Sequence, residues 1–264
     1  MANIIWRAQS PSTNTEIRDL QVPDWTVLVT GNQTAGRGRL QRTWITPPNT
    51  ALAASVVVPV DAWQAAVSLA PLMAGSALKT AFDAHLPSHV KWPNDVLVAH
   101  GAHAGRKLAG VLCELLPTNK VIVGTGINLF TQPEDLPTER ATSVLAAGGD
   151  IGAAAADPVI SSEAGRAFAE DFLRRYIAEL ERLATLAQTA PAALLERLTV
   201  DAATVGSAVR IIGHDGSTRE GTALAITPGG ELTVELAKTG EIVTVSAADI
   251  EHLRETRLGY TESK

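Results

Sequence analysis

The segment 31–44, GNQTAGRGRLQRTW, places three arginines beside two glycines. Glycine lets the main chain approach a ligand closely, and the guanidinium groups of Arg37, Arg39 and Arg42 can bind phosphate or carboxylate through paired, charge-assisted hydrogen bonds. This segment, the arginine loop, therefore predicts an anion-binding site. On charge alone, a solvated basic turn is an equally good interpretation.

A carboxylate and a lysine follow in two further motifs, Asp95 in VKWPND and Lys107 in GRKLAGVL. The residues between them have the pattern of a strand and a flexible hairpin connection, which predicts that the two side chains lie close together. The pair is either a plain salt bridge or, opposite the arginine loop, part of an active site. For Asn94 and Asp95, a turn in which the side chains bond to their own backbone is the simpler alternative.

Two other segments could offer polar groups to a ligand. Ser12, Thr13 and Asn14 precede Glu16, so Thr13 and Glu16 fit a capping box at the start of a helix, and the same groups could also donate to a polar ligand head. The run VGTGIN has two glycines that let a ligand lie against the backbone. It lacks the third glycine of a dinucleotide fingerprint, and nothing in the chain matches a P-loop.

Composition narrows the function classes. The 264 residues include 22 basic and 28 acidic side chains, and the net charge of -6 argues against a surface that attracts nucleic acid. The single cysteine, Cys113, lies in the apolar run GVLCELL, which predicts a reduced, buried thiol and a cytoplasmic protein. No stretch is long enough to span a membrane. His100 and His103 are the only neighbouring histidines and have no third ligand in view, so we expect no metal-ligating side chains.

Periodicity predicts an α+β fold. Strands are expected at 25–30, 52–60, 96–98, 109–116 and 120–124, helices at 61–85 with Asp61 as N-cap, at 161–188 and from 191, and a surface loop with one short helix at 131–158. The predicted mixed β-sheet, packed with helices, occupies residues 1–200. Residues 201–264 contain the alternating runs VRII, LTVEL and IVTVS between turn signals, which predict a small β-barrel.

Taken in order, STN, QTAGRGRLQRTW, KWPND, GRKLAGVL and GTGIN resemble biotin protein ligase. The resemblance covers residues 12–128 directly, and the later helix and all-β module resemble the rest of that family's catalytic domain and its SH3-like C-terminal domain. Because STN begins at residue 12, the chain is similar to the non-regulatory type, without the N-terminal DNA-binding domain of some members. One departure is the run TALAAS, which lacks the aromatic residue expected in the family.

The resemblance implies a two-step reaction. Biotin and ATP give biotinyl-5'-AMP and pyrophosphate, and a carrier-protein lysine then attacks the adenylate and releases AMP. Catalysis would involve Lys107 and Arg37, which neutralise developing charge, and Asp95, which orients the incoming lysine or accepts its proton. Magnesium would arrive with ATP, held mostly by phosphates.

The resemblance also implies binding roles. The residues expected to contact biotin are Ser12, Thr13, Asn14, Gln33, Gly36, Arg37, Gly38, Arg39, Lys107, Gly110, Leu112, Gly124 and Gly126. Those expected to contact ATP or the adenylate are Arg39, Arg42, Trp44, Lys91, Asn94 and Asn128. Among these, Trp44 would pack on the adenine ring. The arginine loop would be mobile without ligand and ordered over biotin.

The implied partner is the biotin carboxyl carrier protein or domain of biotin-dependent carboxylases. No DNA or membrane partner is expected, and the chain is expected to be a monomer or weak homodimer. The nearest alternative is a lipoate-protein ligase or octanoyl transferase of the same fold. An alternative of another class is a nucleic-acid-binding regulator, which the acidic net charge disfavours. A catalytically dead biotin sensor is disfavoured by the presence of both Asp95 and Lys107.

Overall fold

The computed structural model describes residues 3–45, 47–213, 215–247 and 250–255. Within these residues the chain forms a seven-stranded mixed sheet, a five-stranded antiparallel sheet and a two-stranded ribbon. The large sheet and its helices hold most of the apolar core. This arrangement agrees with the predicted α+β class.

The strands of the first part of the chain, in order, are β1 (Ile4–Arg7), β2 (Val27–Thr30), β3 (Gly36–Arg37), β4 (Thr43–Trp44), β5 (Ala51–Pro59), β6 (Ser88–Lys91), β7 (Asp95–Val98), β8 (Lys107–Leu116) and β9 (Lys120–Asn128). The ribbon is β3 with β4, and the sheet order is β1-β2-β5-β9-β8-β7-β6. Only the β1–β2 pair of these described strands is parallel. The central strands β5 and β9 are buried almost throughout, as the near-continuous apolar runs predict.

Four helices cover the sheet in the described residues: α1 (Thr13–Asp19), α2 (Ala70–Phe82), α3 (Glu163–Thr189) and α4 (Pro191–Asp201). Helices α2 and α3 lie on one face, where Phe82 and Phe172 make an edge-to-face contact with 4.8 Å between ring centroids. Helix α1 lies on the other face, where Ile17 packs with Leu28, Val57 and Ile122. Successive residues of β5 therefore point to different helices.

Two local predictions about helix starts are wrong. The helix expected from Asp61 begins at Ala70, after 3-10 turns at Val60–Ala62 and Gln64–Leu69, so Asp61 is not its N-cap. Pro71 explains the late start, because proline lacks an N–H and is accommodated only in the first turn of a helix.

The capping box at Thr13 and Glu16 does not form either. Ser12 is the N-cap of α1, without a side-chain cap bond. The Glu16 carboxylate instead accepts from Arg7 Nε at 2.5 Å and from Ser10 Oγ at 2.7 Å. An ion pair with Arg7 and a hydrogen bond from Ser10, both outside the helix, therefore replace the cap.

The connection from β9 to α3 contains two short 3-10 turns, Pro133–Asp135 and Gly152–Ala156, where one short helix was expected. Cys113 lies in β8, as predicted, but is only partly buried. Burial raises the pKa of its thiol well above the usual range. None of the helices in the described residues combines the length and apolar composition that crossing a bilayer requires.

The C-terminal sheet contains β10 (Ala208–Gly213), β11 (Thr218–Ile226), β12 (Leu232–Leu236), β13 (Ile242–Val245) and β14 (Ile250–Glu255), in the order β13-β12-β11-β10-β14. It is compatible with an SH3-like domain. The three predicted runs lie in β10, β12 and β13, whereas β11 was not predicted. The turns at residues 227–230 and 238–241 place Gly230 and Gly240 at positive φ. The predicted turn at 214–217 begins at His214, which lies outside the described residues.

The two sheets are joined next to the VKWPND motif. Trp92 is buried, its Nε1 donates to the carbonyl of Gly230 at 2.9 Å, and its backbone N–H donates to Thr204 Oγ1 at 3.0 Å. Arg39 of the arginine loop donates to the carbonyl of Ala247 at 2.5 Å. Two loops of the C-terminal sheet are therefore hydrogen-bonded to the VKWPND motif and to the arginine loop.

Candidate active site

A cavity of about 220 Å³ lies between the arginine loop, the start of α1 and strands β7 to β9. The predicted ligand residues in its wall are Ser12, Thr13, Asn14, Gln33, Arg37, Gly38, Arg39, Arg42, Trp44, Lys91, Asn94, Asp95, Lys107, Gly110, Leu112, Gly124 and Gly126. The wall also contains Leu40, Thr43, Trp92, Pro93, Val111 and Thr125, for which no role was predicted. Residues from five separate motifs therefore meet in one space.

Asp95 and Lys107 are adjacent, as the hairpin pattern predicts. Asp95 is the first residue of β7 and lies opposite Gly110 of β8. The Lys107 side chain extends over Gly110, and its Nζ is 2.7 Å from Asp95 Oδ1. Both side chains are about 30% exposed, at 31% and 27%, so the pair is accessible from the cavity.

Trp44 covers the glycine surface that was expected to accept a ligand. A Cβ on Gly126 would lie 2.2 Å from the indole ring, and a Cβ on Gly110 would lie 3.2 Å from it. Lys107 Nζ sits 5.3 Å from the ring centroid, in a cation–π arrangement. The indole Nε1 is buried without a hydrogen-bond partner among the described residues. Trp44 therefore occupies part of the cavity in this conformation.

The arginines differ in how they are held. Arg37 is exposed and donates to Thr15 Oγ1 at 2.5 Å. Arg39 is partly buried and donates to Asn94 Oδ1 at 3.2 Å as well as to Ala247. Burial lowers the pKa of the Arg39 guanidinium, against the opposing charge of Asp95. Of the three arginines, Arg39 is therefore partly desolvated, whereas Arg37 and Arg42 are exposed to solvent.

Asn94 connects the VKWPND motif to the neighbouring strand. Its Nδ2 donates to the carbonyl of Val111 at 2.8 Å, while its Oδ1 accepts from Arg39. The alternative in which this side chain bonds to its own backbone is therefore not what the structure shows. The Asn94 amide instead fixes the distance between the arginine loop and β8.

Gly36 and Asn128 lie outside the described wall of the cavity. Gly36 pairs with Trp44 in the ribbon, where a Cβ would lie 2.4 Å from the Trp44 carbonyl. Asn128 is 5% exposed, and its Nδ2 donates to the carbonyl of Thr142 at 2.9 Å. The predicted contact of Asn128 with an adenylate stays a prediction.

The polar end of the cavity is formed by α1 and the arginine loop. The backbone N–H of Thr13 donates to Gln33 Oε1 at 3.0 Å. Asn14 packs against Gly124, where a Cβ would lie 2.0 Å from Asn14 Oδ1, so only glycine leaves room for this amide. Behind this end of the cavity lie Ser55 and Glu114, which the sequence analysis missed. The signal was available, because a serine inside the apolar strand ALAASVVV needs a partner when buried.

Among the described residues, no group of His, Cys, Asp and Glu side chains comes together in a way that could hold a metal ion. His100 is exposed, and His103 lies 2.7 Å from Thr142 Oγ1 through its Nδ1. Burial, followed by the charge of Arg106, lowers the pKa of His103. The part of the cavity wall that the structure describes contains one carboxylate, Asp95, which is paired with Lys107.

Comparisons with known proteins agree on one family. A model of the biotin/lipoate A/B protein ligase family matches residues 5–128. The biotin–[acetyl-CoA-carboxylase] ligase of Mycobacterium tuberculosis is 32% identical over 94% of this chain and 88% of its own length. The bifunctional ligase/repressor BirA of Bacillus subtilis is 31% identical over 54% of this chain and 45% of its own length.

The fold is shared with solved structures. Biotin protein ligase from Aquifex aeolicus, in complex with biotin and ATP, has a TM-score of 0.75 at 24% identity and covers 97% of this chain and 100% of that chain. Biotin protein ligase from Leishmania major, in complex with biotinyl-5-AMP, has a TM-score of 0.59 at 22% identity, with coverage of 93% and 99%. The likeness extends over both sheets.

Proposed function

This chain belongs to the biotin/lipoate A/B protein ligase family, and from that premise we propose that it is a biotin protein ligase. It activates biotin with ATP to biotinyl-5'-AMP and pyrophosphate, and then transfers biotin to a specific lysine of a biotin carboxyl carrier protein. The observation that carries the proposal is the 32% identity to a biotin–[acetyl-CoA-carboxylase] ligase across 94% of the chain.

The first step brings two anions together. A carboxylate oxygen of biotin attacks the α-phosphorus of ATP, the bond to the β-phosphate oxygen breaks, and pyrophosphate leaves. Arg37, Arg42 and Lys107 line the cavity and would stabilise the charge on the reacting oxygens. Magnesium enters as part of the ATP substrate, because phosphate oxygens bind it and the one carboxylate of the described wall is engaged by Lys107.

In the second step the acceptor lysine attacks the acyl carbon of the adenylate, the bond from that carbon to the phosphate oxygen breaks, and AMP leaves. The attacking amine must lose a proton. Asp95 is the one carboxylate in the described cavity wall and would accept or orient that proton. Its pairing with Lys107 at 2.7 Å keeps both charges beside the reacting atoms.

The polar end of the cavity would hold the ureido ring of biotin through Ser12, Thr13, Asn14 and Gln33. The adenylate would lie toward Arg42, Trp44, Lys91 and Asn94, on the opposite part of the wall. Because the Trp44 indole covers Gly126 and Gly110, it must move before a ligand can lie along this glycine surface. In the moved position the ring would pack on adenine.

A single assay tests the proposal. The protein, ATP and a biotin carboxyl carrier domain are incubated with biotin, with lipoate or with neither, and AMP release and acylation of the carrier are measured. We expect AMP release and acylation of the carrier in the reaction with biotin, and neither in the other two reactions. Carrier acylation with lipoate but not with biotin would instead identify the lipoate branch of the family, and no acylation with either would contradict the proposal.

Other properties are inferred with this function. We infer one functional division of the chain into residues 1–200 and 201–264, a monomer or weak homodimer, and a cytoplasmic protein whose thiol Cys113 is reduced. We also infer that DNA is not a partner, which the net charge of -6 supports. Salt-dependent binding of duplex DNA in a mobility assay would contradict that inference.

A further inference from the structure

A chain of polar side chains runs from Glu114 on β8 to Thr13 at the start of α1. Asn14 Nδ2 donates to Glu114 Oε1 at 2.8 Å, Asn14 Oδ1 lies 2.6 Å from Ser55 Oγ, and Ser55 Oγ lies 2.7 Å from Thr13 Oγ1. Ser55 is 0% exposed, Thr13 3% and Asn14 6%. Since bulk water hardly reaches these three residues, they must satisfy one another's hydrogen bonds.

The orientation of the Asn14 amide is fixed by its neighbours. One side of the amide faces Glu114 Oε1 and, at 3.3 Å, the carbonyl of Leu112, and both of these atoms are acceptors. Arg18 donates to the other oxygen of the Glu114 carboxylate. The Nδ2 atom must therefore lie on this side, which leaves Oδ1, an acceptor only, facing Ser55.

The orientation of the Ser55 hydroxyl follows. A hydroxyl carries one proton, so Ser55 can donate to Asn14 or to Thr13 but not to both. Asn14 Oδ1 can only accept, so the Ser55 proton lies toward it. Two oxygen atoms 2.7 Å apart need a proton between them, and the proton between Ser55 and Thr13 must then be that of Thr13.

The other potential acceptor for Thr13 does not change this result. Gln33 Oε1 is 3.4 Å from Thr13 Oγ1 and already accepts the Thr13 backbone N–H at 3.0 Å. If the Thr13 hydroxyl donated to Gln33 Oε1, no proton would lie between the Thr13 and Ser55 oxygens, which are only 2.7 Å apart. Thr13 lines the cavity, and its hydroxyl proton is already used in the bond to Ser55. Toward a ligand, the Thr13 hydroxyl oxygen can therefore only accept a hydrogen bond.

We propose that Ser55 is a positioning residue that, together with Asn14 and Glu114, makes Thr13 an obligate hydrogen-bond acceptor and so selects ligands whose head group donates an N–H. This inference rests on the proposed function and deepens it. A ureido ring has N–H donors, whereas a dithiolane ring or an alkyl chain has none. An analogue without the N–H leaves a buried acceptor unpaired, which costs affinity.

Gln33 complements Thr13. Its Oε1 is engaged by the Thr13 backbone, so its Nε2 is directed elsewhere, to within 2.6 Å of the position of a Cβ on Gly36. Gln33 itself lines the cavity, and the Gln33 Nε2 is not engaged by Thr13. An acceptor at Thr13 beside an amide donor at Gln33 would match the N–H and C=O of a cyclic urea.

The test is Ser55→Ala in the full chain, with Ser76→Ala as matched control. Ser76 is also 0% exposed, but its hydroxyl bonds to Asp201, away from the cavity. In Ser55→Ala we expect the KM for biotin to rise about tenfold, because a buried acceptor loses its donor and Thr13 loses its fixed direction. The KM for ATP and kcat at saturating biotin are expected to stay unchanged. An unchanged KM for biotin, or an equal fall in activity for both variants, would overturn the inference.

A second measurement tests the direction of the Thr13 hydroxyl. The dissociation constants of biotin and of its two forms methylated on one ureido nitrogen are compared in wild type and Ser55→Ala. Methylation at the nitrogen facing Thr13 is expected to weaken binding to the wild type at least fivefold more than to the variant, in which the hydroxyl can turn. If methylation raises the dissociation constant by the same factor in the wild type and in Ser55→Ala, the inference is overturned. A wild type that does not biotinylate the carrier would instead contradict the proposed function itself.

Discussion

The two ends of the cavity are built differently. At the polar end, Thr13, Asn14 and Ser55 are almost fully buried, and their hydrogen bonds close on one another. At the other end, Leu40 is 45% exposed with a φ of 55°, and the Trp44 Nε1 has no partner among the described residues. The polar end is therefore already formed, whereas we expect the other end to rearrange when ligands bind.

The largest effect should come from removing the cation between the two ends. Lys107→Ala is expected to slow adenylate formation by about 100- to 1,000-fold, the range for loss of one preorganised electrostatic group. Pyrophosphate release at saturating biotin and ATP is the measurement. Lys79→Ala is the control, because Lys79 pairs with Asp83 and Asp201 on the opposite side of the sheet. A wild-type rate of pyrophosphate release in Lys107→Ala would show that this lysine does not take part in adenylate formation.

Hydrogen exchange compares the two ends directly. Amides of the arginine loop are expected to exchange at least tenfold more slowly with biotin and ATP bound than without, because the loop must order around the ligand. Amides at the start of α1, at residues 13–16, should change little, since their surroundings are already formed. Equal protection of both regions on ligand binding would contradict the distinction between a rigid and an adaptable end.

Gly126→Ala should loosen only the adaptable end. The new methyl would lie 2.2 Å from the Trp44 indole, so the ring must leave its position. We expect faster exchange in the arginine loop, by about a few-fold, without change in α3. In the control Gly229→Ala the nearest atom is the flexible Glu231 side chain at 3.2 Å, and loop exchange should match the wild type. Slower amide exchange in the arginine loop of Gly126→Ala than in the wild type would contradict this prediction.

The smallest expected effect concerns the contact between the sheets. Trp92→Phe removes the hydrogen bond to Gly230 and should lower the free energy of unfolding by about 1 kcal/mol more than Trp63→Phe does. Trp63 is a suitable control because it is equally buried and its Nε1 has no partner among the described residues. Denaturant titration of both variants gives the difference. Equal losses would mean that the bond adds no net stability.

Local patterns predicted the parts of this molecule that depend on neighbours in sequence. The strand periodicity, the helix at α3 and the approach of Asp95 to Lys107 all follow from residues within one element or one hairpin. The start of α2 was also accessible, because Pro71 marks a first turn, yet the apolar period of the preceding residues outweighed it in the prediction.

Long-range arrangements were not accessible in the same way. The chain from Glu114 to Thr13 joins residues of α1, β5 and β8, and its members meet only once the strands have their final register. The position of Trp44 over Gly126 likewise depends on how the ribbon folds back over β9. Single-sequence periodicity reports which face a residue occupies but not which distant side chain lies next to it.

The anchoring of Arg39 has a consequence for nucleotide capture. Its hydrogen bonds go to two uncharged oxygens, those of Asn94 and Ala247, and a guanidinium bonds more weakly to such oxygens than to a carboxylate. An arriving phosphate can therefore take over the guanidinium without having to separate an ion pair. We therefore expect the Arg39 guanidinium to be available as a counter-charge for the triphosphate, at the cost of two hydrogen bonds to neutral oxygens.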